Sequence, residues 1–188
     1  MTEAMRALDG SMTVVLMIAG ALLLLSLAVR GISARYAHRP LSWRAIVWSA
    51  AIVGWAAAVA YITLVAGTTT STGSRPIELV PGAGIVQLLT DSVSVEVPLV
   101  QLGGNAMLFA PLGVLLALRH STSVARCIGW AALISVAIEA AQFAFALGRV
   151  ASVDDVLVNT IGAVAGFALV RVIQYVMSAS HTRLSERR

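Results

Sequence analysis

The chain has 188 residues, of which 59% are hydrophobic and 12% charged. Ordinary soluble domains carry about 25% charged residues, so this composition excludes both a disordered segment and a typical soluble fold. The formal net charge of +4 arises from 13 arginines against 9 carboxylates, with no lysine. The arginines fall between apolar runs and form no patch, which excludes nucleic acid as a partner. The single cysteine, Cys127, excludes a disulfide framework within the chain and a multi-cysteine metal site. The predicted partner is the lipid bilayer.

A helix needs roughly 20 apolar residues to cross about 30 Å of hydrocarbon. Five stretches meet that need in chain order: Ser11 to Val29, Ala45 to Ala66, Leu99 to Leu118, Cys127 to Leu147 and Val156 to Met177. Trp43 and Tyr61 stand near the ends of the second as interface anchors. The acidic and basic residues Glu3, Arg6 and Asp9 before the first run, and its length, predict a retained span rather than a cleaved signal peptide. The fold class expected is an all-α integral membrane protein, a bundle of about five transmembrane helices. Its organisation reads as a first helix with an arginine-rich loop over 1–44, a membrane domain over 45–177 and a basic tail over 178–188.

Arginine placement predicts the orientation. Ten of the 13 arginines fall in loop 30–44, in loop 119–126 and toward the C-terminal end, while Arg6, Arg75 and Arg149 lie on the opposite side. The N-terminus is therefore expected outside and the C-terminus in the cytoplasm, in a multi-pass protein of the cell membrane. The outer segment between the second and third runs opens with the polar connector GTTTSTGS. Ile77 to Pro81 and Ile85 to Leu89 are too apolar for a solvated loop and too short to span, which predicts an interfacial or re-entrant segment. Val93 to Val97 alternates like a strand, but an isolated strand beside helices leaves open edges, so no strand is expected there.

Several polar residues interrupt the apolar runs. Glu139 falls roughly 12 Å below the outer end of the fourth run, at 1.5 Å per residue. An ionisable group at that depth is costly against lipid and should point into the bundle, where it needs a partner or a proton. Ser135 and Gln142 share its helix face. Asn105 enters the third run and Asn159 the fifth from the same outer side, and the short connection before the fifth carries Arg149, Asp154 and Asp155. Asn105, Glu139, Gln142, Arg149, Asp154, Asp155 and Asn159 are thus expected to form one polar site in the outer half of the membrane. Taken singly, the amides could equally be hydrogen-bonded clamps between helices. Pro111 and Gly113 are read as structural, a kink in the third helix, and Gly162 and Gly166 as a GxxxG packing step on the fifth.

These residues also carry a resemblance. Asn105-Ala106-Met107-Leu108-Phe109-Ala110-Pro111-Leu112-Gly113 resembles the N-x-x-x-F-x-P-x-G stretch of VanZ-like membrane proteins. Ile138-Glu139-Ala140-Ala141-Gln142 is similar to their E-x-x-Q motif. Gly148-Arg149, followed by Asp154-Asp155-Val156-Leu157-Val158-Asn159-Thr160-Ile161-Gly162 and then Gly166, is similar to their G-R…D-D-x-x-x-N-x-x-G block. The three blocks stand in the family's order, and the clearest resemblance covers 77–175. Upstream, Ile77-Glu78-Leu79-Val80-Pro81 resembles an N-L-I-P-type element but departs from it at Glu78. The resemblance implies a cell-envelope membrane protein and supports the grouping of the seven polar residues. The family takes its name from a member connected with resistance to teicoplanin, a glycopeptide antibiotic, but no activity is assigned to the family as a whole, so the resemblance does not by itself transfer resistance to this chain.

Two classes of function compete. In the first, the outer polar site binds a lipid-linked, peptide or sugar head group, such as that of a cell-wall precursor, through Arg149 and the amides. The second is a carboxylate- or metal-dependent enzyme in which Glu139, Asp154 and Asp155 offer oxygen ligands or a base. His38, His120 and His181 all fall on the cytoplasmic side, which argues against histidine chemistry at this site. A proton-coupled transporter using Glu139 ranks third, since the chain shows no internal repeat. No cofactor is assigned.

Overall fold

The computed structural model describes residues 3–36, 42–66, 77–92, 94–119, 121–145 and 150–185. In chain order these form α1 (Glu3–Tyr36), α2 (Trp43–Ala60) with a π-helical continuation (Tyr61–Ala66), β1 (Ile77–Glu78), α3 (Ala83–Asp91), α4 (Glu96–Ala117), α5 (Val124–Ala144), β2 (Ala151–Ser152) and α6 (Val153–Ser185). Five stretches are long and apolar enough to cross a membrane: Ala19–Tyr36, Trp43–Leu64, Glu96–Ala117, Val124–Ala144 and Val153–Ser180. The fold is all-α and of the membrane type.

The burial pattern is that of a protein whose solvent is lipid. Met107, Leu133, Val136, Leu169 and Tyr175 are exposed, whereas Ser135, Glu139, Asp154 and Asn159 are buried. Apolar side chains outward and polar ones inward is the arrangement that hydrocarbon demands.

The chain divides into two compact units. The first draws on residues 1–75 and 141–149. Its helix α2 starts at Ser42, whose hydroxyl accepts a hydrogen bond from the Ala45 amide. Arg30 of α1 lies 5.8 Å from the ring centre of Trp48 on α2, a cation–π contact between the two helices. The hydroxyls of Ser49 and Thr63 donate to the carbonyls of Ala45 and Val59, each at 2.8 Å, so both polar groups are satisfied on their own helix.

The second unit draws on residues 76–140 and 150–188. Its frame is the pair α4 and α6, which run parallel: Gly162 rests on Ala106, and one turn further along Gly166 rests on Ala110. A Cβ at Gly113, Gly162 or Gly166 would fall on the carbonyl oxygen of Ala163, Ala106 or Ala110 respectively. Backbone therefore touches backbone along this seam, the packing that small residues permit between membrane helices. Helix α5 runs antiparallel to α6, with Cys127 near the Ala163 carbonyl and Ser135 beside Asn159. Where the chain returns from α4 to α5, Arg171 on α6 donates to the Thr122 carbonyl at 2.8 Å and lies over the Phe167 ring.

Four features differ from the sequence expectation. Helix α4 begins at Glu96 rather than Leu99 and carries Pro111 inside it. Helix α6 begins at Val153 rather than Val156, because the Ser152 hydroxyl accepts from the Asp154 amide and caps it. Asp154 and Asp155 consequently belong to the first helical turn and not to the preceding loop, and a helix N-terminus favours carboxylates. Finally, a β-pairing that was not expected joins Ile77–Glu78 to Ala151–Ser152 in parallel register, whereas the described residues of 93–97 form no strand.

Candidate functional site

The site is built at the end of the second unit where α4 and α6 begin. Val80-Pro81-Gly82-Ala83 forms a tight turn, with the Ala83 amide donating to the Val80 carbonyl at 3.2 Å and Gly82 at φ 84. Proline followed by glycine with positive φ is the signature of a type II turn. Gly82 is also the residue before α3 and has no side chain with which to cap it. Asp154 supplies the missing cap from 72 residues away. Its Oδ1 accepts from the Gly82 amide at 2.6 Å and its Oδ2 from the Ile85 amide at 2.9 Å. The negative charge also meets the positive end of the α3 dipole. Asp154 is 4% exposed, so these bonds are formed away from bulk water.

The neighbouring residues continue this network. The backbone amide of Ser152 donates to Glu139 Oε2 at 3.0 Å, so the α5 carboxyl is tied to the strand that leads into α6. Asn105 on α4 donates to Asp155 Oδ1 at 2.7 Å. One turn deeper, Asn159 donates to the Ser135 hydroxyl at 2.8 Å, while its Oδ1 is buried with no donor among the described residues. Glu139, Asp154 and Asp155 are thereby linked to α3, α4 and β2 within one unit. Gln142 goes elsewhere: it belongs to the first unit, where its amide donates to the Thr63 carbonyl at 3.0 Å. Thr63 lies in the π-helical segment, a geometry that departs from regular α-helical hydrogen bonding. Arg149 lies outside the described residues.

Between α3 and the starts of α4 and α6 opens a cleft of about 340 Å³. Its polar lining includes Glu78, Gln87, Asp91, Gln101, Asp154 and Asp155, with Ile85 and Leu88 among the apolar walls. Among the described residues no basic side chain lines it. Gly84 leaves the space that both carboxylates border: a Cβ there would stand 2.5 Å from Glu78 Oε2 and 3.2 Å from Asp154 Oδ2. Among the described residues no group of three His, Cys, Asp or Glu side chains is placed to hold a metal ion.

The VanZ/LLP1 family model matches residues 42–174, well over half of the chain. The chain belongs to the VanZ/LLP1 family. The match takes in α2 to α5 and most of α6, and leaves α1 outside. No curated protein and no solved structure matches the chain.

Sequence reasoning overlooked Glu78, Gln87, Asp91, Gln101 and Ser152 as parts of this VanZ/LLP1 site. Two local signals pointed there. Ser152-Val153-Asp154-Asp155 has the serine and acid spacing of a helix start, and Pro81-Gly82 marks a turn next to Glu78.

Proposed function

We propose that this VanZ/LLP1 chain is a multi-pass protein of the cell membrane. Its cleft, bounded by α3, α4 and α6, binds the head group of a lipid-linked, peptide-bearing or sugar-bearing envelope molecule on the extracytoplasmic side. The observation that carries this reading is the cleft itself, a polar hollow of about 340 Å³ at the N-terminal ends of two spanning helices. A hollow with polar groups converging at one end of apolar helices suits a ligand with a polar head and a lipid tail. Arginine placement supports the outward orientation, with the N-terminus outside and the C-terminus in the cytoplasm. A part in glycopeptide response belongs to the same proposal, since such antibiotics act on cell-wall precursors outside the membrane.

The enzyme reading is weaker. It asks Glu139 and Asp154 to act as base or metal ligands, yet Glu139 accepts from the Ser152 amide and both Asp154 oxygens accept from α3. Groups engaged in this way are positioned to hold the cleft together.

The proposal is tested by filling the cleft. Gln101 is exposed on α4 and lines the hollow, so Gln101→Trp should occupy it without disturbing the core. Lipids retained by the purified parent and variant are then compared by mass spectrometry. The expected result is loss of one lipid class from the variant, with the bulk annular lipids unchanged. Identical lipid profiles would overturn the proposal.

A further inference from the structure

The two walls of the cleft are built in different ways. One is the pair α4 and α6, whose backbones touch at Gly113, Gly162 and Gly166. The other is α3, and no residue of α3 is buried. Among the described residues, the only hydrogen bonds that tie α3 and its leading turn to another helix are the two accepted by Asp154. They come from the Gly82 amide at 2.6 Å and the Ile85 amide at 2.9 Å. A helix in a folded protein is held mainly by burial of one apolar face. Without such a face, α3 depends on a single carboxylate as α4 and α6 do not.

Both ends of α3 are suited to turning. Before it, Gly82 stands at φ 84, a backbone geometry that glycine adopts without strain. After it, Ser92 leaves the helix in extended conformation, at φ −72 and ψ 129. Further back, β1 is fixed by its pairing with β2, so movement of α3 is taken up between Leu79 and Gly82. The outer edge of α3 carries exposed Val86 and Leu89, and the preceding Leu79 and Val80 are exposed as well. At nine residues the helix rises only about 13 Å, too short to cross the hydrocarbon. An apolar edge on such a helix lies in the interfacial layer of the bilayer. Swinging α3 outward slides this edge along that layer instead of drawing it into water, so opening carries little hydrophobic penalty.

Resting on the reading of this cleft as the binding site, we propose that α3 is its gate. Asp154 latches the gate shut through the Gly82 and Ile85 amides. Release of the latch lets α3 swing away from α4 and α6 about Gly82 and Ser92, and a lipid enters sideways from the bilayer.

Labelling of a cysteine behind the gate provides the test. Leu102 lines the cleft and is half-buried, while the native Cys127 is buried in the same unit. In nanodisc-embedded full-length protein, Leu102→Cys should react readily with N-ethylmaleimide. It should react only slowly with a maleimide carried on a long polyethylene glycol chain, which needs the gate open. Asp154→Asn removes the charge and one of the two acceptor oxygens, so the slow reaction should quicken about tenfold. Gly82→Ala should act in the same direction with Asp154 intact, because alanine is strained at this φ. Cys127, read in the same samples by peptide mass spectrometry, should stay unlabelled throughout. Rates unchanged by both substitutions would overturn the gate, as would a large reagent that already matches N-ethylmaleimide in the Leu102→Cys parent. Acceleration accompanied by labelling of Cys127 would also overturn it, since the whole unit would then have loosened. The lipid reading is judged separately: faster labelling, with retained lipids unchanged by Gln101→Trp, would leave α3 mobile and bring down lipid entry.

Discussion

Alanine at Gly113 or Gly162 should destabilise the protein by about 1–3 kcal/mol, the usual cost of forcing a methyl into a packed interface. The two positions lie at different levels of the α4–α6 seam, one on each helix, and the new Cβ would overlap a backbone carbonyl of the opposite helix, at Ala163 or Ala106. A carbonyl cannot rotate aside as a side chain can, so the helices must separate along their length. The same substitution at Gly103 provides the contrast. Nothing lies within 4 Å of a Cβ there, although Gly103 is on the same helix as Gly113. Alanine at Gly103 should be neutral or stabilising by up to about 1 kcal/mol, the difference in helix propensity. Thermal unfolding of the three variants in one detergent checks this, and equal midpoints for Gly103→Ala and Gly113→Ala would contradict the packing.

The second large effect concerns Asp154. Removing its carboxylate by Asp154→Ala deprives the Gly82 and Ile85 amides of their acceptors and removes the charge at the start of α3. A hydrogen bond to a charged group contributes about 1.5–3 kcal/mol, so the loss of both should total roughly 3 kcal/mol or more of α3 docking. At about 1.4 kcal/mol per factor of ten, amide exchange across 82–91 should quicken by roughly two orders of magnitude. Asp154→Asn keeps one acceptor oxygen and should fall between alanine and the parent. Exchange measured by mass spectrometry on nanodisc-embedded protein reports the difference directly. Because α6 needs Asp154 only as an ordinary first-turn residue, exchange within 160–170 should stay slow in both variants. Uniform acceleration throughout α6 would mean that Asp154 supports the whole unit rather than α3.

Hydropathy made the five spans legible, because length and the absence of charge are local properties of the chain. The ends of those spans were less so. Reading α6 as starting at Val156 treated Asp154 and Asp155 as loop residues on account of their charge, whereas Ser152 and the helix dipole draw them into the first turn. Helix α3 and the β1–β2 pairing depend on partners far along the sequence: Asp154 caps a helix 72 residues before it. No window of local sequence contains both halves of that interaction. Glu139, Asn105 and Asn159 were singled out because a polar group in an apolar run requires a partner, and each has one on another element. Gln142 satisfied the same criterion, but its partner is the Thr63 carbonyl in a π-helical turn, a backbone feature with no counterpart in residue type. Glu78 was noticed only as a departure from the family pattern. Its place in the cleft wall came with the structure, where Gly84 leaves the space that its carboxylate and that of Asp154 border.

The most direct measurement of the central claim is the accessibility of the cleft from outside the cell. Cysteine placed at Gln101, in a chain whose buried Cys127 is replaced by alanine, lies in the cleft wall. In intact cells it should react with a membrane-impermeant thiol reagent. A residue labelled only after the membrane is opened would place the cleft on the cytoplasmic side and contradict the account.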